Sequence, residues 1–243
     1  MKKSLKQQNR PQLIVFLVTN VLAVGAALFG LSALTTLFAE VLGGNFASMG
    51  KIIALPAVAA LVLGIISWIL PTNVKETVVF WRIGPYRLPS SKAFTVIAPA
   101  DPRIDMARLT ARLGTLPHDP AKQNALWYAT YRKHDNELSV TDTNAAYLLY
   151  REMTVLVPFI AFAAFGLVLA VPNAREHLEM LGAILLLEYV VLMLAARNSG
   201  ARLISNVLAL EAATSGAREV TATTKSRTSK VSKTRSKSQT ESP

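Results

Sequence analysis

Four apolar stretches, each of a length to cross a bilayer, restrict this chain more than any other feature. Pro11 to Ala39, Ile52 to Val74 and Met153 to Ala174 carry no Asp, Glu, Lys or Arg, and Met180 to Ala196 carries only Glu188. A helix needs about 20 apolar residues to cross roughly 30 Å of hydrocarbon. In lipid the backbone must satisfy its own hydrogen bonds, which selects helices for such runs. The expected fold class is all-α: a polytopic membrane protein with four transmembrane helices at 11–39, 51–71, 153–172 and 178–197. A small helical cytoplasmic domain, residues 72–152, is expected between spans two and three.

The flanking charges set the expected orientation, because Lys and Arg near span ends favour the cytoplasm. The N-tail, 1–10, carries Lys2, Lys3, Lys6 and Arg10 and no acid. The connections after spans one and three are short and carry few charges. Residues 72–152 hold eleven basic and eight acidic residues, and Arg197 and Arg202 follow span four. Both termini and the insert are therefore expected inside. The first apolar run far exceeds a signal-peptide core, so it reads as a retained span.

The formal net charge is +11, and much of it lies at the C-terminal end. Residues 198–213 carry Leu203, Ile204, Val207 and Leu208 at helical spacing and are expected to prolong span four. Residues 214–243 are Ser-, Thr- and Lys-rich, cannot bury a core, and are expected to form a disordered basic tail. Such a tail beside a membrane attracts anionic lipid. The chain has no cysteine, which excludes disulfide and thiolate chemistry.

Within the insert, span two is expected to continue through Val74–Ile83 and to stop at Gly84-Pro85. Asp101-Pro102 has the form of an N-cap before a first-turn proline, which predicts a helix to Leu113 with Gly114 as its stop. Asp119-Pro120 predicts a second helix to about His134. A third is expected to begin between Glu137 and Thr143 and to run into span three.

The residues show no enzymatic constellation. His118, His134 and His177 lack metal-ligand spacing, and there is no phosphate loop, dinucleotide fingerprint or nucleophile elbow. The reading is a non-enzyme that calls for no cofactor or metal. The insert does carry basic residues interleaved with aromatics: Arg82 after Phe80 and Trp81; Arg87 and Lys92 around a proline turn; Arg103, Arg108 and Arg112; and Arg132 and Lys133 after Trp127, Tyr128 and Tyr131. Arginine forks suit phosphate and aromatic faces suit bases, so these eight basic residues are candidate ligand contacts. The competing reading pairs Asp105 with Arg108 on a solvated face and places Trp127 and Tyr131 in a core.

Two polar residues fall near the expected midplane, Asn20 in span one and Glu188 in span four. A carboxylate there costs about 2.5–3.5 kcal/mol on insertion scales and faces a bundle interior or water. Both are candidate pore-lining or helix-contact residues.

The segments Arg87-Leu88-Pro89-Ser90-Ser91-Lys92-Ala93-Phe94-Thr95, Asp101-Pro102-Arg103-Ile104-Asp105, Leu116-Pro117, Gln123-Asn124-Ala125-Leu126-Trp127-Tyr128 and Leu148-Leu149-Tyr150-Arg151-Glu152 carry a resemblance. With four spans, the region Arg82 to Glu152 resembles the small membrane effectors of bacterial anti-phage defence systems of the Hailong type. That resemblance implies a homo-oligomeric ion channel in the inner membrane, a nucleotidyltransferase-like partner, and gating by a nucleotide or short single-stranded DNA. It implies depolarisation of the cell. The alternative is a non-conducting anchor or scaffold that recruits a cytoplasmic protein through the insert. The basic tail departs from the family pattern.

Overall fold

The computed structural model describes residues 5–30, 35–36, 39–40, 43, 58, 61–67, 69–170 and 178–237, with side chains as far as Thr214. Every regular element among the described residues is helical. The main helices are α1 (Arg10–Phe29), α2 (Leu61–Ser67), α3 (Thr72–Phe80), α4 (Met106–Leu113), α5 (Pro120–His134), α6 (Leu138–Ala170) and α7 (Leu178–Lys237). Three are long and apolar enough to cross a membrane: α1 over Arg10–Ala27, α6 over Leu138–Leu169 and α7 over Leu178–Thr214.

The number reaches four only if α2 and α3 together make one span, and these meet at 95°. Ten of the 21 residues of the expected second span, 51–57, 59, 60 and 68, lie outside the described residues. The expectation that it continues straight to Ile83 is corrected: the chain turns at Leu70-Pro71, and α3 begins afresh with Pro71 extended at its N-cap. Proline has no N–H and its ring blocks the preceding turn, so the helix breaks there rather than passing through. α3 also ends at Phe80, ahead of Gly84-Pro85, because Trp81 enters the left-handed region with φ 53°.

The chain divides into two compact units. Unit 1 comprises Met1–Pro89 and Thr141–Leu203; unit 2 comprises Ser90–Val140 and Ile204–Pro243. The core of unit 1 joins Leu17 and Val24 of α1, Leu63 of α2, Leu156, Ile160, Ala164 and Val168 of α6, and Leu181 and Leu185 of α7. The four-residue steps within α6 and α7 put each set on one helix face. The opposite faces leave Phe162, Phe165, Leu186 and Leu187 exposed, an apolar exterior suited to lipid tails or another apolar helix.

In unit 2 the core joins Phe94, Ala98, Ile104 and Leu109 with Ile204, Leu208 and Ala212, which recur every four residues on α7. The predicted helix start at Asp101 is corrected to Asp105. Asp105 Oδ1 accepts from the N–H of Ala107 (2.9 Å) and Arg108 (3.1 Å), satisfying first-turn donors of α4. Asp101 instead accepts from the backbone and guanidinium of Arg103, so its carboxylate holds a turn and caps nothing. α4 stops at Gly114, whose φ of 77° a residue with a side chain rarely adopts. α5 has the bounds its sequence predicts, with the Asp119 carboxylate accepting from Lys122 N–H at 2.9 Å.

The loop before α4 is irregular: 3₁₀ turns at Gly84–Tyr86 and Pro89–Lys92, then a π turn at Ala93–Ile97. Gln123, 1% exposed, holds that turn. Its Oε1 accepts from Phe94 N at 3.0 Å and its Nε2 donates to His118 O at 3.0 Å. At the other end, α7 extends as backbone to Lys237, past the end near Ala213 that the apolar spacing predicts and into the tail read as disordered. No proline interrupts 178–237.

Candidate functional site

Polar side chains gather at three places, two in unit 1 and one in unit 2. The first joins both midplane candidates. Asn20 follows Leu17 by three residues and precedes Val24 by four, so it shares their buried stripe. Glu188 follows Leu181 by seven and Leu185 by three, so it shares theirs. Asn20 Nδ2 donates to Glu188 Oε1 at 3.0 Å and lies 3.2 Å from Phe16 O. Asn20 is buried and Glu188 half-buried. The two candidates are thus a helix contact with each other.

The second is a buried ionic cluster that sequence reasoning did not single out. Lys75 Nζ lies 2.5 Å from Glu152 Oε2, which also accepts from Ser67 Oγ at 2.5 Å. Arg151 Nη2 donates to Glu152 Oε1 at 2.9 Å, and Arg87 Nε lies 3.2 Å from Glu76 Oε2. Lys75, Glu76 and Arg151 are each under 9% exposed. Charges desolvated to this degree persist only when paired. The signal lay in the sequence as Lys75-Glu76 and Arg151-Glu152, adjacent opposite charges beside apolar runs.

The third lies in unit 2 around Glu211 of α7, whose side chain is 2% exposed. Arg112 Nε and Lys133 Nζ each approach Glu211 Oε1 at 3.2 Å, and His134 Nε2 lies 2.6 Å from Oε2. Glu211 sits three residues beyond Leu208 and one before Ala212, on the buried side of α7. A carboxylate there requires cations, and α4 and α5 supply them. Glu211 and His134 were missed; the acidic residue inside the predicted apolar stripe was the available clue.

Of the eight basic candidates, Arg112 and Lys133 share one carboxylate. Arg103 binds Asp101 (2.7 Å) and Asn206 (3.1 Å), and Arg108 pairs with Asp105 at 3.2 Å. Arg132 bonds Tyr128, which together with nearby Asp135 and Tyr131 raises its pKa. Arg82 and Arg87 belong to unit 1, where Arg87 pairs with Glu76. Arg82 is exposed and Lys92 half-buried, and among the described residues neither forms an ion pair. Trp127 packs on the unit 2 core and stacks on Tyr131 at 5.5 Å, while Tyr128 is exposed.

The Arg103 hydrogen bonds hold the Asp101 carboxyl well below the ordinary carboxylate range, against a smaller upward push from burial. Among the described residues no three His, Asp or Glu side chains converge as a metal site.

Three long apolar helices with polar side chains turned into their own core define a chain compatible with a multi-pass membrane protein. No protein-family model, curated protein sequence or solved structure matches it.

Proposed function

We propose that the chain is an inner-membrane effector, with cytoplasmic termini, whose copies assemble into a ligand-gated pore that depolarises the cell in anti-phage defence. The observation that carries the reading is the Asn20–Glu188 pair, which sets a half-buried carboxylate on the apolar helix faces of unit 1. Ionisable groups at such depth mark ion pathways and helix contacts. One subunit of this size is too thin to enclose a wide pore, and exposed Phe162, Phe165, Leu186 and Leu187 offer surface for lipid and for a second copy.

The ligand in this reading is phosphate-bearing, a nucleotide or short single-stranded DNA supplied by a nucleotidyltransferase-like partner. Its candidate contacts are Arg112 and Lys133. Both approach Glu211 Oε1 at 3.2 Å, and the Lys133 side chain is 55% exposed. Glu211 then orients donors that a phosphate can share. A non-conducting scaffold is the second reading, favoured by the carboxylates that already engage Arg87, Arg103 and Arg108.

The test is bilayer conductance of the purified chain with and without a short oligodeoxynucleotide, beside membrane potential in bacteria expressing it. A pore gives oligonucleotide-dependent conductance and depolarisation, and Glu188→Gln alters both by replacing the carboxyl group while keeping an oxygen that accepts from Asn20. A bilayer that stays silent under all conditions, with no potential change in cells, refutes the pore and leaves the scaffold.

A further inference from the structure

We propose that α3 and the corner Trp81-Arg82-Ile83 lie along the bilayer surface, seated among phospholipid headgroups and upper acyl chains. This rests on the membrane reading of unit 1 and not on the pore. The first argument is polarity. α3 turns its charges inward: Lys75 and Glu76 are 6% and 8% exposed, beside buried Val79 and Phe80. Its outer stripe is Val74, Thr77, Val78 and Trp81, the spacing of one helix face. Val74 is 41% and Trp81 65% exposed, and the Thr77 hydroxyl donates to Asn73 O at 2.9 Å. A helix with water on this face would place its charges there. An apolar outer stripe over a buried charged one fits a partner that is itself apolar.

The second argument is level. α2 is apolar from Leu61 to Ile66, and α3 leaves it at 95°. With α2 crossing lipid, a right-angled α3 runs in the plane of the membrane. Depth is set by α7, where Arg197 is the first charge after Glu188 and marks the end of the apolar run. Its guanidinium carbon lies 5.3 Å from the Trp81 ring centroid, and the Tyr189 ring stacks on the same indole at 6.4 Å. Eight residues, about 12 Å of helix, separate Arg197 from Tyr189. Trp81 is thus bracketed between the charged end of the run and the level of Tyr189, the zone that interfacial Trp side chains and surface helices occupy.

The third argument is the chemistry of the corner. Carbonyls at a helix end need donors, and lipid has none. Tyr189 Oη donates to Val78 O and Arg197 Nε to Val79 O, each at 2.7 Å, while Trp81 Nε1 donates to Tyr189 Oη at 2.8 Å. These contacts satisfy Val78 O and Val79 O without water. Trp81 takes a φ of 53°, a conformation easier for glycine, and so keeps a large amphipathic ring at the turn. Ile83 is 82% exposed, and exposed Arg82 forms no ion pair among the described residues. An apolar side chain beside a cation matches the acyl chain and phosphate of a phospholipid.

The experiment reconstitutes the full chain in phosphatidylcholine–phosphatidylglycerol vesicles and measures depth twice. Trp68→Phe with Trp127→Phe leaves Trp81 as the one tryptophan. Its emission should fall more with lipids brominated high on the acyl chain than with lipids brominated near its end. The chain has no cysteine, so Ile83→Cys, at an exposed position, gives a unique site for a nitroxide and stands in if the tryptophan variant misfolds. That label should relax faster with oxygen than with a water-soluble nickel chelate. Vesicles that float with the chain bound, but give no bromine quenching or a label reached better by nickel, overturn the proposal and leave the membrane reading standing. A label shielded from both reagents also overturns it and puts another protein surface on this face. A chain that does not float with vesicles refutes both readings.

Discussion

Asn20 and Glu188, 168 residues apart in the chain, meet through an Nδ2–H···Oε1 hydrogen bond of 3.0 Å. Inside an apolar bundle neither has water as an easy substitute, so their energies are coupled. A double-mutant cycle with Asn20→Leu and Glu188→Leu should give a coupling energy of about 0.6–1.7 kcal/mol, the range for hydrogen bonds between membrane helices. Reversible unfolding in mixed micelles measures it; a coupling near zero would mean that each side chain finds another partner.

Glu211 brings Arg112, Lys133 and His134 together through its two carboxylate oxygens. Glu211→Gln should destabilise unit 2 by about 2–3 kcal/mol, below the full cost of breaking a buried pair because Lys133 is half exposed. Lys133→Met should cost less than about 1 kcal/mol. Amide hydrogen exchange in α4 and α5 reads both, and equal losses for the two variants would contradict this ranking.

The capping geometry separates two aspartates that look interchangeable in sequence. Asp105→Ala should cost about 1 kcal/mol and speed exchange at the first-turn amides of α4. Asp101→Ala should spare those amides and instead release the Arg103 turn. The reverse pattern would restore Asp101 as the cap.

The Asp101 carboxyl is held below its ordinary value of 3.8 chiefly by hydrogen bonds from Arg103. A depressed folded-state pKa contributes stability that is present above the ordinary value and lost as pH falls through the folded one. The carboxyl carbon resonance of Asp101 should therefore show no midpoint near 3.8. In Arg103→Leu the midpoint should return toward the ordinary range. An ordinary midpoint in the unaltered chain would show that the pair does not persist in solution.

The apolar runs, Asp119-Pro120 and Gly114 were legible because each acts through local chemistry: hydrocarbon length, a side-chain cap, a left-handed stop. The bend at Pro71 was not, since a proline near a span end serves a kink or a break equally. Asp101 and Asp105 compete for one helix start, and which one caps depends on Ile104 reaching the core and on Arg103 claiming Asp101. Asn20 and Glu188 were visible singly; their meeting needed the faces of two helices 168 residues apart. Glu211 was hidden because its cations come from α4 and α5, and no spacing along α7 reveals them.

The core of unit 2 draws Phe94, Ala98, Ile104 and Leu109 from one stretch and Ile204, Leu208 and Ala212 from another. A fragment cut from the insert alone, residues 72–152, would leave out three of these apolar side chains and the Glu211 carboxylate. Cloned by itself it should aggregate or stay molten. A peptide covering 200–214, supplied in trans or fused by a flexible tether, should restore a cooperative fold by completing the missing wall.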